Sequence, residues 1–269
     1  MTYSGGMRPL VEIAIVLLAV AVVLIGLLYA VTPIIVRRRF ALDPHPAVTV
    51  VREEQLPPDA LHFFEESASD FARIGFSPRT YLHVSGYTPA QTLDARLHVD
   101  ALGYTATAAC IRQQAPGRPE RVVRVVTFSA LHDDGREVST TNSQEAELPV
   151  ADRQTHPVPL PGVWDLALMY LVHRHEDGVF APETALVVSS PGEEAQAMAD
   201  GFARSTRRMV KAGRLRLDPV TGEARLTWRG AYLLSWSLLP PARQIRQARI
   251  QARAERAIES ARAASSSRP

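Results

Sequence analysis

ERVVRVVTFSALHDDGREVSTTN, residues Glu120 to Asn142, sets two alternating, β-branched runs on either side of Asp134-Gly135, a dipeptide that supplies the positive φ of a tight hairpin turn. The same grammar extends upstream through TYLHVSG (80–86), TLDARLHVD (92–100) and YTATAACIRQ (104–113), with Gly86, Gly103 and Pro116-Gly117 as punctuation. Ahead of these strands, Leu61, Phe64, Ala68 and Phe71 recur at helical spacing, prolines open the run and Gly75 closes it, so a helix is predicted over Asp59–Ile74. One helix followed by about five strands predicts an α+β domain over 59–150, a small antiparallel sheet with the helix on one face.

Further upstream the composition changes. Leu10 to Val36 reads LVEIAIVLLAVAVVLIGLLYAVTPIIV, with Glu12 as its only charge, and Ile13–Ile35 alone spans about 34 Å as a helix. The run is longer than the apolar core of a signal peptide and stops at Arg37-Arg38-Arg39, so it is predicted to be a retained transmembrane helix over 10–36. Three arginines follow it and only Arg8 precedes it. The positive-inside rule therefore places residues 1–9 outside and the rest of the chain in the cytoplasm, at a bacterial-type inner membrane. Residues 37–58, with Pro44, Pro46, Pro57 and Pro58, read as a juxtamembrane linker holding at most a short strand at AVTVV (47–51).

Downstream of the sheet, HPVPLPG (156–162) marks a Pro-rich linker over 151–162, and 163–239 reads as a helical region with a β-hairpin. VWDLALMYLVHRH (163–175) predicts a helix with Trp164, Leu168, Leu171 and Val172 on one face. SPGEE (190–194) predicts an N-cap hydroxyl and acidic first turn for a second helix, which Gly213 ends. RLRLDPVTGEARLTW (214–228) predicts a hairpin with Leu215, Leu217, Leu226 and Trp228 alternating. Residues 240–269 read as a basic helix with a disordered tail. Helix, hairpin and following helix, from Glu193 to Leu239, with the junction RLTWRGAYL, resemble locally the recognition helix and wing of winged-helix regulators. That resemblance implies Arg204, Arg207, Arg208 and Lys211 as phosphate or base contacts.

Charge divides the chain. Between Asp43 and Gly201, 11 arginines stand against 23 acidic residues, whereas Phe202–Ala263 holds 14 basic residues and 4 acidic ones. The two halves could pair with each other, or the basic half could meet phosphates on lipid or nucleic acid. Trp228, Tyr232 and Trp236 recur every four residues, and beyond Pro240-Pro241 an arginine face follows with Arg243, Arg246, Arg249, Arg253 and Arg256. An aromatic segment running into a basic helix fits an interfacial element on an anionic leaflet; the competing expectation is a core helix with a solvated extension.

No phosphate-binding loop, dinucleotide fingerprint, nucleophile elbow or His-Glu-x-x-His motif occurs, and Cys110 is the only cysteine, which excludes an intramolecular disulfide and a cysteine-based zinc cluster. His173-Arg174-His175-Glu176-Asp177 is the densest set of chemical groups, but its expected place at a helix end suits capping better than a metal. The sequence thus predicts no cofactor and a non-enzymatic, membrane-held interaction or scaffold module. Its partners would be the lipid bilayer with anionic headgroups and a protein of unspecified identity. A tethered nucleic-acid binder and an enzyme using the His173 region are the alternatives.

Overall fold

The computed structural model describes residues 7–114, 117, 119–143 and 153–266. Most of the N-terminal segment expected outside the membrane, the expected boundary at 150–151 and the last three residues of the expected tail lie outside them. Helix α1 runs Met7–Arg39, and its stretch Val11–Arg39 is long and apolar enough to cross a membrane. Its side chains are exposed from Val11 to Leu28, while Tyr29, Thr32, Val36 and Arg37 are half-buried and Pro33 is buried, where α5 packs against the end of the helix.

The remainder is a mixed α+β structure. Strands β1 (Ala41–Leu42) and β2 (Ala47–Val51) follow α1, then α2 (Pro58–Arg73) and the meander β3 (Ser77–Thr88), β4 (Gln91–Val99), β5 (Thr105–Gln113), β6 (Arg121–Leu131) and β7 (Glu137–Thr141). Strand β8 (Thr155–Pro159) and helices α3 (Leu166–Phe180) and α4 (Glu194–Lys211) come next. The chain ends with β9 (Leu215–Leu217), β10 (Ala224–Leu226), α5 (Trp228–Leu238) and α6 (Ala242–Ser266).

Two sheets form: a seven-stranded one in sequential order from β2 to β8, and a three-stranded one in the order β1-β10-β9. The sheet of about five antiparallel strands is therefore corrected to seven, with β7 and β8 parallel. Both additions fell in presumed linkers. β2 pairs with β3 from Ala47↔Ser85 to Val51↔Tyr81, and β8 holds Pro157 and Pro159. Proline has no N–H to give a ladder, which reads as a linker in sequence but is tolerated on an edge strand, where β8 lies.

Alternation along the strands separates two faces. Ala106, Ala108 and Cys110 of β5 point to one face with Val126, Phe128 and Ala130 of β6. Small residues on β5 leave space that Phe63, Phe64 and Phe71 of α2 fill. Helices α3 and α6 cover the same face, through Met169 and Val172 and through Ala254, Ala257 and Ala261. On the other face Leu82, Ala95 and Ala109 meet Ala195 and Met198 of α4.

Two helix readings are corrected. Helix α3 continues through the His173–Asp177 cluster, and its buried face is Leu166, Met169, Val172, His173 and Asp177, while Trp164 is about half exposed. Counting His173 and Asp177 as polar turned the expected face toward Trp164 and Leu168; both are instead taken inside by polar partners. Helix α4 starts at Glu194, because Ser190-Pro191-Gly192 forms a turn closed by the Glu193 N–H on the Ser190 carbonyl (3.0 Å), with Gly192 at φ +94°.

Candidate functional site

Five elements converge where α1 ends. Leu42 of β1, Met209 of α4, Leu215 of β9, Ala224 and Leu226 of β10, and Ala231 and Leu234 of α5 form one buried cluster, with Val36 and Phe40 packed against it. The short sheet thus clamps the residues directly after α1. Thr227 starts α5: its hydroxyl accepts the Gly230 N–H (3.1 Å) and donates toward the carbonyls of Gly213 and Arg214 (2.8 and 3.1 Å). Gly230 is required by contact rather than by a turn, since a Cβ there would stand 2.1 Å from the Arg214 carbonyl oxygen.

Helix α5 lies against α1 and runs opposite to it. At one end the Arg37 guanidinium sits 4.5 Å from the Trp228 ring centroid; at the other, Tyr29 and Trp236 are in ring contact at 5.2 Å. The Tyr29 hydroxyl donates to the carbonyls of Pro240 (2.8 Å) and Leu239 (3.3 Å). Tyr29 precedes Arg37 by eight residues, about 12 Å along a helix axis, so the turn from α5 to α6 lies well inside the apolar part of α1. Small side chains face inward on α5, with Gly230, Ala231, Ser235 and Ser237 buried. The aromatic stripe faces outward: Trp228, Tyr232 and Trp236 are 48, 54 and 63 % exposed. Those three rings therefore form no part of a core.

Helix α6 leaves the turn and returns to the large sheet. Arg243, Arg249, Arg253 and Arg256 are exposed and Arg246 is half-buried. Ala254, Ala257 and Ala261, at i, i+3 and i+7, pack on the α3 side of the sheet domain. The expected solvated extension is corrected accordingly. An alanine stripe is too weakly hydrophobic to stand out beside the arginines, yet it lets the two helices approach closely.

The residues assigned to a nucleic-acid contact share one stripe of α4 but differ in exposure and engagement. Arg204 and Arg208 are half-buried, and Arg208 ion-pairs Glu137 of β7 (2.7 Å) and donates to the Gly135 carbonyl (3.1 Å); Arg207 and Lys211 are exposed. The Arg208–Glu137 pair joins the basic half of the chain to the acidic half.

Around α3 the cluster His173–Asp177 fans out instead of converging. His173 is fully buried, with Nδ1 3.0 Å from the Thr140 hydroxyl, and burial pushes its pKa down to about 4. Glu176 pairs with His156 (2.7 Å), whose bond to the carboxylate holds that carboxyl below its usual range. His175 meets Ser260 of α6 (2.9 Å). Asp177 accepts from Tyr104 (2.8 Å) and contacts His132 Nε2 (2.7 Å), while Thr184 Oγ1 lies 2.9 Å from His132 Nδ1. Burial and the Asp177 carboxylate push Tyr104 up to about 12.

Hydroxyl, imidazole and carboxylate stand in the order of a nucleophile relay. His132 and Asp177 are 2 and 4 % exposed and Thr184 is half-buried, and the chain of bonds fastens the end of α3 to the sheet. Among the described residues no three His, Cys, Asp or Glu side chains gather as a metal site.

Sequence reasoning missed Tyr29, Arg37 and Arg214. Tyr29 had one signal, being the only Tyr or Trp within the apolar run. Comparison with protein-family models, curated proteins and solved structures finds no match to this chain, so its function is argued from geometry.

Proposed function

We propose that the chain is a single-pass membrane protein that holds an acidic α+β module against the bilayer as a non-enzymatic interaction or scaffold platform. In this reading α1 is the anchor and the arginines at its end place the module on the cytoplasmic side of a bacterial-type inner membrane. The platform offers its acidic sheet domain to a protein partner. Helices α5 and α6 form a second attachment: the aromatic face of α5 sits among headgroups and upper acyl chains, and the arginine face of α6 meets anionic lipid.

One observation carries the reading: Trp236 meets Tyr29 within the apolar length of α1, Trp228 meets Arg37 at its end, and the three rings of α5 are otherwise about half exposed. An aromatic side chain beside a membrane-crossing helix, about 12 Å below its terminal arginines, has lipid as its natural neighbour. The turn also suits that depth. Pro240 and Pro241 have no N–H to satisfy, and the Tyr29 hydroxyl takes up the Leu239 and Pro240 carbonyls. The same contacts support retention of α1 in the working protein, since α5 is built against it. A nucleic-acid role has less support, because α4 lies on the sheet and Arg208 is engaged by Glu137.

The test is tryptophan quenching by brominated lipid in vesicles containing the full chain. A chain retaining only Trp236 is expected to be quenched strongly, one retaining only Trp164 to be quenched weakly, and Tyr29→Phe to reduce quenching in the first. Equal, weak quenching of Trp236 and Trp164 would remove the second attachment.

A further inference from the structure

Arg214, at the junction of α4 and β9, is 8 % exposed, and its Nε and Nη1 are buried without a hydrogen-bond acceptor in the protein. Its nearest charged influence is another cation, Arg229, which together with burial lowers its pKa. A buried guanidinium without an anion is costly, and an anion arriving from outside the protein would offset that cost. Arg37 repeats the pattern: it is half-buried, and its Nε is buried without an acceptor. Among the described residues no carboxylate pairs with Arg37, Arg214 or Arg229.

All three residues meet the start of α5, and the Arg214 and Arg229 charges act on each other. Arg229 lies in its first turn, Arg37 stands over Trp228 at its start, and the Arg214 carbonyl is held by the N-cap residue Thr227. The amides of a helix's first turn and its dipole add positive potential at the same place. We propose that Arg37, Arg214, Arg229 and the first turn of α5 bind a phosphate-bearing anion, a lipid phosphodiester headgroup or a soluble phosphate. The guanidinium fork matches phosphate geometry and satisfies donors that the protein leaves open. The headgroup source rests on the membrane reading above, in which the end of α1 lies at the level of lipid phosphates.

The experiment measures binding of tail-labelled phosphatidylglycerol, and separately of inorganic phosphate, to the full chain in phosphatidylcholine nanodiscs. Phosphatidylglycerol binding that falls roughly tenfold or more in both Arg214→Met and Arg229→Gln is the expected result. Arg229 is exposed, so its substitution leaves folding intact if Arg214→Met does not. Loss of phosphate binding alone in these variants would assign the site to soluble phosphate. Equal affinity for anionic lipid in wild type and both variants, or loss only when Arg243, Arg249, Arg253 and Arg256 are replaced together, overturns the proposal. Quenching of Trp236 by brominated lipid is read in the same samples: if it persists while the anion preference is absent, this site fails and the membrane attachment stands.

Discussion

Acidification from pH 7 to pH 5 is expected to destabilise the sheet domain through two histidines held neutral. His98 is 1 % exposed and stacked on Phe71 at 4.2 Å, with neither ring nitrogen hydrogen-bonded. Burial, aided by the Arg96 charge, pushes it down to about 4. His173 is pushed to the same value by burial; Asp177 and Asp100 favour its charged form, while His132 opposes it.

Because the folded pKa lies below the unfolded value near 6.5, the unfolded chain binds more protons between those limits. Stability is complete above about pH 6.5, falls as pH drops and levels off below about 4. Linkage over that window gives about 2 kcal/mol per histidine at pH 5, about 4 kcal/mol for the pair. For a chain of this size that corresponds to a fall in melting temperature of about 10 °C. Circular dichroism melts of the full chain in uncharged detergent measure it, and His98→Leu is expected to halve the dependence because it removes one titrating ring at similar volume. A melting temperature that is flat from pH 7 to pH 5, or an undiminished slope in His98→Leu, would refute the reasoning.

Two further outcomes follow from contacts already described. Gly230→Ala drives a Cβ into the Arg214 carbonyl and against Leu226 (2.9 Å), and is expected to cost about 3 kcal/mol. Proteolysis should then open the β9–β10 loop, whereas Gly26→Ala, with open space around it, should leave that loop protected. Cys110 is fully buried and its thiol is pushed up to about 11, chiefly by burial. It should resist maleimide in the folded chain and react at the rate of unfolding; rapid, complete labelling without denaturant would contradict its placement.

Local patterns made part of this architecture legible. Helix α2 and strands β3 to β7 announce themselves because each carries its own period and turn residues within a dozen positions. Strand β8 hid behind Pro157 and Pro159, and the face of α3 was misjudged because His173 and Asp177 are buried by partners, His132, Tyr104 and Thr140, that lie elsewhere in sequence. Arg214 followed a hairpin alternation that put it outside, yet the closure of α5 over the α4–β9 junction buries it. Trp228, Tyr232 and Trp236 were legible as a stripe. Their neighbour was not, since Tyr29 meets Pro240 across 211 residues and no local period encodes that pairing.

That long-range pairing bears on how a platform would work. A domain hung from a membrane helix by a flexible linker samples all orientations, and a partner must then supply the ordering entropy. Here β1 joins the small sheet directly after α1, and β2 enters the large sheet only four residues later. Helix α5 is fixed to α1 at both ends, and α6 carries the chain from that contact back onto α3 and β8. Two separate routes therefore connect the anchor to the sheet domain, and rotation about either one strains the other. Under the proposed reading, a scaffold so braced would present one constant face to a partner, and the Tyr29–Trp236–Pro240 contact is the point at which loosening the brace would free the domain without unfolding it.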